Sequence, residues 1–367
     1  MRRTVLLLFS AALVVLVAGG VALAATISCP NRAGNLCVGT DQADTMNGRD
    51  GARDDMRGRG GLDTLRARGA NDKLTGGPGI DNLNGALGSD TYIFDDGWGE
   101  DHIVTEGGGV DTLDFSALSA RVTVDLVPMA AEPEARSGTT NTLFISNTDT
   151  VIEKVRGGAK GDNISGTSAS NTFFGNGDPD FLRGGSGKDA LFGGAAGDAL
   201  DGQGGDDSLG GGGGSDDYRY FAFEGAFGQD TITDSPISDP ARFTGNEVTL
   251  INFTDNMIIT LASDPSQPEV KFTSATTLGS INWSANGIDN VDNQSSNEFL
   301  GDDTIFGNSD INEITSLGGQ DTIDAGGGDD FIHVQDQSGG DEVDCGDGND
   351  TVAFDNNDLI NFVDCEN

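Results

Sequence analysis

Apolar and polar residues follow a fixed nine-residue repeat between Gly157 and Tyr218. An acidic or amide residue marks each unit, an apolar residue follows two positions later, and glycines fill the positions ahead. The acidic or amide positions are Asp162, Asn171, Asp180, Asp189, Asp198, Asp207 and Asp216, and the apolar positions are Ile164, Phe173, Leu182, Leu191, Leu200, Leu209 and Tyr218. Each unit predicts three extended residues after a six-residue turn, because glycine permits left-handed backbone conformations.

Two further blocks keep this repeat with interruptions. In the first, about residues 39–93, the acidic positions are Asp44, Asp54, Asp63, Asp72, Asp81 and Asp90. In the third, about residues 301–353, the acidic or amide positions are Asp303, Asn312, Asp321, Asp330, Asp341 and Asp350. The two segments between the blocks contain runs of branched apolar residues that predict ordinary strands. They resemble each other weakly, since Gly97–Ile103 and Ala226–Ile232 share a pattern.

Two units are expected to close one turn of a flattened right-handed spiral. Unit n then stacks on unit n+2, at a strand spacing of about 4.8 Å, and the apolar residue of each unit points inward. The predicted fold class is all-β, with parallel solenoid blocks and intervening β segments. The predicted division is a signal peptide (1–24), an N-terminal cap with the first repeat block (25–93), a β spacer (94–156), the second block (157–218), a second β spacer (219–296), the third block (297–353) and a C-terminal cap (354–367).

The composition narrows the classes of partner. The 367 residues include 60 acidic and 20 basic side chains, for a formal net charge of −40. This charge excludes nucleic acid and disfavours anionic membrane surfaces. Only 35% of residues are apolar and 57 are glycine, values typical of a disordered acidic chain. The fixed period favours an ordered repeat architecture instead.

The stacked aspartates require a counter-ion. Two carboxylates about 5 Å apart repel by roughly 3 kcal/mol at an effective dielectric constant of 20. A divalent cation between the turns reverses this sign. Carboxylate and carbonyl oxygens select a hard ion, and irregular six- or seven-fold coordination favours Ca²⁺ over Mg²⁺. Binding of the metal would then contribute directly to the free energy of folding.

The pattern Gly-Gly-x-Gly-x-Asp-x-apolar-x, most complete at Gly184–Phe192, resembles the calcium-binding repeat of haemolysin-type (RTX) proteins. The resemblance covers about half the chain. It implies a parallel β-roll in which Asp carboxylates and turn carbonyls from units n and n+2 hold each Ca²⁺. The implied metal ligands are Asp63, Asp72, Asp81, Asp90, Asp162, Asp180, Asp189, Asp198, Asp207, Asp216, Asp303, Asp321, Asp330, Asp341 and Asp350.

The chain departs from the family pattern at several positions. Arg59 and Arg68 replace the second glycine of their units, in a stretch crowded with further arginines, so we expect weak or no calcium binding at the start of the first block. Asn171 and Asn312 replace the aspartate and offer only a neutral oxygen. The family's familiar export signal is C-terminal and uncleaved, whereas this chain has an N-terminal signal, which indicates the general export route.

The N-terminal residues predict secretion. Arg2 and Arg3 precede an apolar run, and Ala22-Leu23-Ala24 is typical of a signal-peptidase site. An uncleaved membrane anchor is the alternative; no other stretch is long enough to span a membrane. Four cysteines lie near the two ends, and in an exported chain they predict disulfides. Local pairing of Cys29 with Cys37 and of Cys345 with Cys365 is the simplest arrangement, while their spacing disfavours a zinc site.

Three functional hypotheses remain. The first is a non-catalytic secreted protein that binds calcium ions and is stabilised by them. The second is an adhesin-like module that contacts a cell-surface glycan or protein. The third is an enzyme acting on polysaccharides from a parallel β-helix. The chain has two histidines, His102 and His333, which are too far apart in the sequence to form a His-Glu-x-x-His zinc site, and it has no Gly-x-Ser-x-Gly motif. The sequence therefore favours the first hypothesis, with no catalytic residues assigned.

Overall fold

The computed structural model describes residues 24–30, 36–127, 133–138, 141–145, 152–221, 228–233, 247–251, 257–260, 270–272, 279–283, 290–294, 304–308, 311–315, 320–334, 340–354 and 361–365. All regular structure in these ranges is β-strand, which confirms the predicted all-β class. Except for Ala24, the predicted signal peptide lies outside the described residues. None of the described residues belongs to a helix long and apolar enough to cross a membrane.

The strands are short and follow one another along the chain. Up to residue 145 they are β1 (Ala25–Ser28), β2 (Leu36–Val38), β3 (Asp44–Asn47), β4 (Asp55–Arg57), β5 (Thr64–Arg66), β6 (Lys73–Thr75), β7 (Gly79–Ala86), β8 (Thr91–Ile93), β9 (Gly99–Glu106), β10 (Thr112–Asp114), β11 (Thr123–Asp125), β12 (Ala135–Ser137) and β13 (Asn141–Ile145). The central strands are β14 (Lys154–Arg156), β15 (Asn163–Ser165), β16 (Thr172–Asn176), β17 (Phe181–Gly187), β18 (Ala190–Ala195), β19 (Ala199–Gly205), β20 (Ser208–Gly213), β21 (Asp217–Phe221) and β22 (Gly228–Ile232). The remaining strands are β23 (Glu247–Ile251), β24 (Met257–Thr260), β25 (Val270–Phe272), β26 (Gly279–Trp283), β27 (Asn290–Gln294), β28 (Thr304–Asn308), β29 (Glu313–Thr315), β30 (Thr322–Gly326), β31 (Phe331–Val334), β32 (Glu342–Asp344), β33 (Thr351–Phe354) and β34 (Asn361–Val363).

Alternate strands belong to two parallel sheets, so each pair of nine-residue units makes one coil of a solenoid. In the second block Leu182 lies opposite Leu200 in one sheet, and Leu191 lies opposite Leu209 in the other. Each pair is one coil apart in the sequence, which confirms the predicted stacking of unit n on unit n+2. Pairing runs without a break from β1 to β33 in the first sheet and from β2 to β34 in the second.

The two spacers share an unexpected topology. In the first spacer, β13 pairs in parallel with β9, β12 pairs antiparallel with β13 and β11, and β11 pairs in parallel with β15. In the second spacer, β26, β25 and β24 make the same arrangement between β22 and β28, in the opposite sheet. One reversed strand is thus inserted in each spacer, and the weak sequence resemblance between the spacers corresponds to a shared fold.

The core is a column of one inward residue per unit. All seven predicted apolar positions of the second block are fully buried, as are Met46, Met56, Leu65 and Leu74 in the first block. So thin a core is thickened by aromatic residues in the first spacer, where the Trp98 ring lies 5.3 Å from that of Phe94. The cysteines pair locally as predicted, with Cα–Cα distances of 5.2 Å for Cys29–Cys37 and 5.1 Å for Cys345–Cys365.

Candidate metal centre

The repeat aspartates form two buried columns, one along each edge of the solenoid. In each column the Oδ1 atom of one aspartate accepts a hydrogen bond from the main-chain N–H of the aspartate one coil earlier. Asp189 Oδ1 accepts from Asn171 N at 2.6 Å, and Asp207 Oδ1 accepts from Asp189 N at 2.7 Å. The same bond joins Asp63 to Asp81 at 2.8 Å and Asp330 to Asp350 at 2.8 Å. In these turns one carboxylate oxygen therefore holds adjacent coils together.

The second carboxylate oxygen is different, because in many turns it is buried without a hydrogen-bond partner among the described residues. We call these the open turns; they end at Asp63, Asp72, Asp81, Asp90, Asp180, Asp189, Asp207, Asp330 and Asp350. A buried polar atom that lacks a partner costs about 1–3 kcal/mol, and more when it is charged. The repetition of this defect around the coil indicates that a group outside the polypeptide completes the site.

Glycine at the first position of the turn makes room for that oxygen. A Cβ atom added to Gly184 would lie 2.4 Å from Asp189 Oδ2 and 2.8 Å from the carbonyl oxygen of Gly202 in the next coil. The same two kinds of oxygen surround Gly175 and Gly193. The space that a side chain would fill is thus lined by a carboxylate oxygen and a main-chain carbonyl oxygen.

Left-handed backbone conformations at the second and fourth positions shape the open turns. Gly185 and Gly187 have φ of 111° and 127°. Arg59 and Arg68, which replace glycine at the second position, adopt φ of 83° and 81°. The arginines therefore preserve the turn at some strain, because side chains with a Cβ rarely adopt this region.

Burial makes the open turns electrostatically unfavourable without a cation. It raises the pKa of Asp72, Asp180 and Asp189 to about 7, while the main-chain N–H that each accepts lowers the pKa only in part. The pKa of Asp63, Asp90 and Asp207 rises to about 6 for the same reason. Neighbouring aspartates of the same column add to the rise at Asp72 and Asp180. A bound cation would remove this penalty on the charged form.

Four of the turns that the structure describes satisfy their aspartate or asparagine with protein groups, and we call them closed turns. They end at Asp44, Asp54, Asp162 and Asn171. In each of them the N–H of the second turn residue donates to the side-chain oxygen, as Gly158 N does to Asp162 Oδ2 at 2.6 Å. At Asp54 the guanidinium of Arg49 also donates to Oδ1, at 2.7 Å from Nη2. At Asn171 the side-chain amide donates to the carbonyl oxygen of Ile152 at 3.1 Å.

The closed turns lie at the start of the first and second blocks, where each pair makes one coil. The geometry therefore supports the expectation of weak calcium binding at the start of the first block. The arginine that satisfies an aspartate there is Arg49, which pairs with Asp54. The predicted ligand role of Asp162 remains a prediction that its hydrogen bonding disfavours. In the same turn the guanidinium of Arg121 donates to the carbonyl oxygen of Gly161.

The structure places nearly all predicted ligands at equivalent points of the coil. The buried members are Asp63, Asp72, Asp81, Asp90, Asp162, Asp180, Asp189, Asp198, Asp207, Asp216, Asp321, Asp330, Asp341 and Asp350. Asp303 lies outside the described residues. Within the described part of the chain, no three acidic, histidine or cysteine side chains gather around one point. Main-chain carbonyls would therefore supply much of the coordination.

Sequence reasoning missed several residues of the same columns. Asp101 accepts the N–H of Asp81, Asp111 accepts that of Asp90 at 2.8 Å, and Asp230 accepts that of Asp207. All three belong to the spacers and fall off the nine-residue repeat, although two of them lie in the shared pattern of Gly97–Ile103 and Ala226–Ile232.

A buried tyrosine lies in the final coil of each of the first two blocks, and its hydroxyl group makes a hydrogen bond that the sequence pattern did not predict. The hydroxyl oxygen of Tyr92 accepts the N–H of Gly85 at 2.9 Å, and that of Tyr218 accepts the N–H of Gly211 at 2.8 Å. Both tyrosines occupy the inward apolar position and are fully buried. Their rings continue the core column, while their hydroxyls reach the edge beside the carboxylate column.

The donor set of the open turns fits a hard divalent cation. The turns that end at Asp63, Asp180 and Asp189 each offer a buried carboxylate oxygen without a partner among the described residues, a nearby carbonyl oxygen and a glycine-shaped space between them. Oxygen-only ligands of this kind suit Ca²⁺, which tolerates irregular coordination. Asp189 Oδ2 and the carbonyl oxygen of Gly202 are the ligand candidates in the most regular unit, and equivalent pairs recur along each edge.

Comparison with known proteins agrees with this geometry. A family model for the RTX calcium-binding nonapeptide repeat (4 copies) matches residues 53–92, 156–191, 165–200, 183–218 and 299–332. These ranges contain every open turn except the one that ends at Asp350. A search of curated proteins finds no match to the chain.

Proposed function

Because the chain is an RTX-type calcium-binding repeat protein, we propose that it is a secreted, non-catalytic protein whose open turns bind Ca²⁺ and whose folding depends on that binding. The observation that carries the proposal is the row of buried carboxylate oxygens without partners. A thin core of one apolar residue per unit cannot easily offset many such charges. Calcium in the open turns would turn this repulsion into attraction.

The roles of the residues follow from their positions in the coil. Oδ1 of each open-turn aspartate holds the preceding coil through its N–H, and Oδ2 is presented to the ion. Where glycine occupies the first position, as at Gly184, it keeps a Cβ out of the site, and the left-handed residues turn the main chain so that carbonyls face the edge. Bound calcium would supply the positive charge that allows the carboxylates to stay ionised while buried.

Secretion is supported by two independent features. The N-terminal residues have the charge and apolar pattern of an export signal. The two local disulfides are stable in an oxidising environment and rare in a reducing one. Extracellular fluids also supply calcium at concentrations suited to weak multiple sites.

Calcium titration of the mature chain tests the proposal. We expect circular dichroism to show that excess chelator removes part of the β signal and that added Ca²⁺ restores it. Calorimetry should show several bound ions per chain. Unchanged β signal in excess chelator would contradict the coupling of folding to calcium.

A double variant locates the sites. Asp189 and Asp207 stack in one column, so Asp189→Ala with Asp207→Ala should lower the number of bound ions. The matched control is Asp217→Asn, since Asp217 points outward and pairs with Arg219 at 2.5 Å. An equal number of bound ions in the double variant and the wild type would show that the sites lie elsewhere.

A further inference from the structure

The first spacer begins with a turn that the nine-residue repeat does not reveal. Residues 96–104 read Asp-Gly-Trp-Gly-Glu-Asp-His-Ile-Val, which matches the repeat at its second, fourth, sixth and eighth positions. Asp101 follows Asp81 in the column by 20 residues, whereas in-repeat neighbours are separated by 18. The family match ends at residue 92, so this turn lies beyond it.

The main chain of this turn repeats the geometry of the open turns. Gly97 and Gly99 have φ of 77° and 90°, at the two positions where Gly77 and Gly79 are also left-handed. A Cβ added to Gly99 would lie 2.1 Å from the carbonyl oxygen of Gly79, just as one added to Gly79 would lie 1.8 Å from that of Gly61. The stack of turns therefore continues from the repeat block into the spacer.

The side chain of Asp101 has the same environment as the open-turn aspartates. It is only 1% exposed. Its Oδ1 accepts the N–H of Asp81 at 3.2 Å, and its Oδ2 is buried with no partner among the described residues. Asp81 Oδ2, in the coil below, has none either. Two adjacent coils thus present a pair of buried, unsatisfied carboxylate oxygens at one edge.

Asp230 likewise continues a column of aspartates into the second spacer. Asp230 is fully buried and its Oδ1 accepts the N–H of Asp207 at 2.8 Å, across a separation of 23 residues. Gly228 has φ of 84°, and a Cβ added to it would lie 1.9 Å from the carbonyl oxygen of Gly205. The arrangement is therefore a recurring feature of the chain at the end of a repeat block.

We propose that the turn ending at Asp101 forms a calcium site with Asp81. The proposal rests on the calcium-binding function proposed above and extends it outside the repeats. The first spacer is then anchored to the preceding block by an ion as well as by strand pairing. Calcium would order the beginning of this spacer together with the block it follows.

Trp98 provides a local probe, because it lies in the turn that ends at Asp101 and its carbonyl accepts the N–H of Gly79. The chain has two tryptophans, so Trp283→Phe leaves Trp98 as the only indole. Tb³⁺ replaces Ca²⁺ at oxygen sites and emits when a nearby excited indole transfers energy to it. We expect emission on excitation of Trp98 that excess Ca²⁺ abolishes. Asp101→Asn should reduce this emission by about tenfold or more, and should lower the calcium count by one.

Asn keeps the oxygen that accepts the N–H of Asp81 and removes only the charge, and circular dichroism in Ca²⁺ checks its folding. Asp95→Asn is the control, since Asp95 is exposed in the same segment. Emission and calcium count that are unchanged in Asp101→Asn would overturn the proposal. If Asp101→Asn does not fold, absence of Tb³⁺ emission on excitation of Trp98 in the Trp283→Phe chain would overturn the proposal. A wild-type chain that binds no calcium would instead refute the proposed function itself.

Discussion

The turns that end at Asp54 and Asp189 place an aspartate at the same point of the coil and satisfy it in opposite ways. Asp54 receives the N–H and the guanidinium of Arg49. Asp189 keeps Oδ2 buried beside the carbonyl oxygen of Gly202, with no protein donor. The difference teaches that a periodic sequence does not imply equivalent sites. Closed turns carry their own counter-charge or hydrogen-bond donors, and open turns depend on an ion.

Removal of calcium is expected to have the largest effect, and it should destabilise the open turns more than the closed turns. In excess chelator, main-chain amides of the open turns between residues 180 and 211 should exchange hydrogen faster by about tenfold or more, because their buried charges are no longer compensated. Amides of the closed turns that end at Asp44 and Asp54 should lose less protection. Hydrogen–deuterium exchange measured by mass spectrometry resolves these segments. Equal loss of protection in both classes would remove the distinction.

A pH change should act in opposite directions with and without calcium. Burial raises the pKa of Asp72, Asp180 and Asp189 from 3.8 to about 7 in the metal-free fold. Between about pH 4 and 7 the folded chain then binds more protons than the unfolded chain, so its stability falls as pH rises through this window. Calcium needs deprotonated carboxylates, so the stabilisation that it provides should grow with pH.

Urea midpoints at pH 5 and pH 8 measure both trends. In chelator the midpoint should be lower at pH 8, and in saturating Ca²⁺ it should be higher at pH 8. A chelated chain that becomes more stable at pH 8 would show that the open-turn carboxylates are not buried in the metal-free fold.

Gly184→Ala tests whether the glycine space belongs to the site. The new Cβ would lie 2.4 Å from Asp189 Oδ2, so the carboxylate must move, at a cost of about 1–3 kcal/mol. Urea unfolding in Ca²⁺ and calcium affinity by calorimetry should both decrease. Gly213→Ala is the control, because its Cβ would meet nothing closer than 3.9 Å. Comparable losses in the two variants would indicate a general effect of replacing glycine.

Arg49→Ala should convert a closed turn towards an open one. The Arg49 side chain is 19% exposed, and Asp54 is fully buried. Truncation removes the two guanidinium N–H groups that donate to Asp54 Oδ1 and costs about 1–3 kcal/mol in chelator. Added Ca²⁺ should restore part of this loss. The control is Arg57→Ala, whose pair with Asp55 is 54% exposed on the arginine side and contributes about 0–1 kcal/mol. Failure of Ca²⁺ to restore stability would mean that the Asp54 turn cannot accept an ion.

The sequence was sufficient to predict the coil, because its apolar residues and aspartates recur in a strict order. Leu182 and Asp189 lie where their spacing places them, one in the core column and the other in an edge column. The disulfides could be predicted as local pairs from the position of the cysteines near each end.

The remaining features depend on three-dimensional contacts that carry no period. Asp101 and Asp230 rejoin the columns only because extra residues before them are accommodated between coils. The closed turns follow from a main-chain N–H that points inward, as at Gly158. In those that end at Asp44, Asp162 and Asn171 no residue of the turn is left-handed. The direction of β12 is set by its two neighbours, since short runs of strand-forming residues give no sign of which way they pair.

The reversed strands β12 and β25 have a consequence for how the chain finds its register. A perfectly periodic solenoid can slip by one whole coil and exchange each leucine for another leucine and each aspartate for another aspartate. Such shifted alignments would be nearly equal in energy and would trap the chain during folding. A strand that pairs antiparallel on both sides fits only one place in its sheet. The spacers therefore fix the alignment of coils that the repeats alone would leave ambiguous.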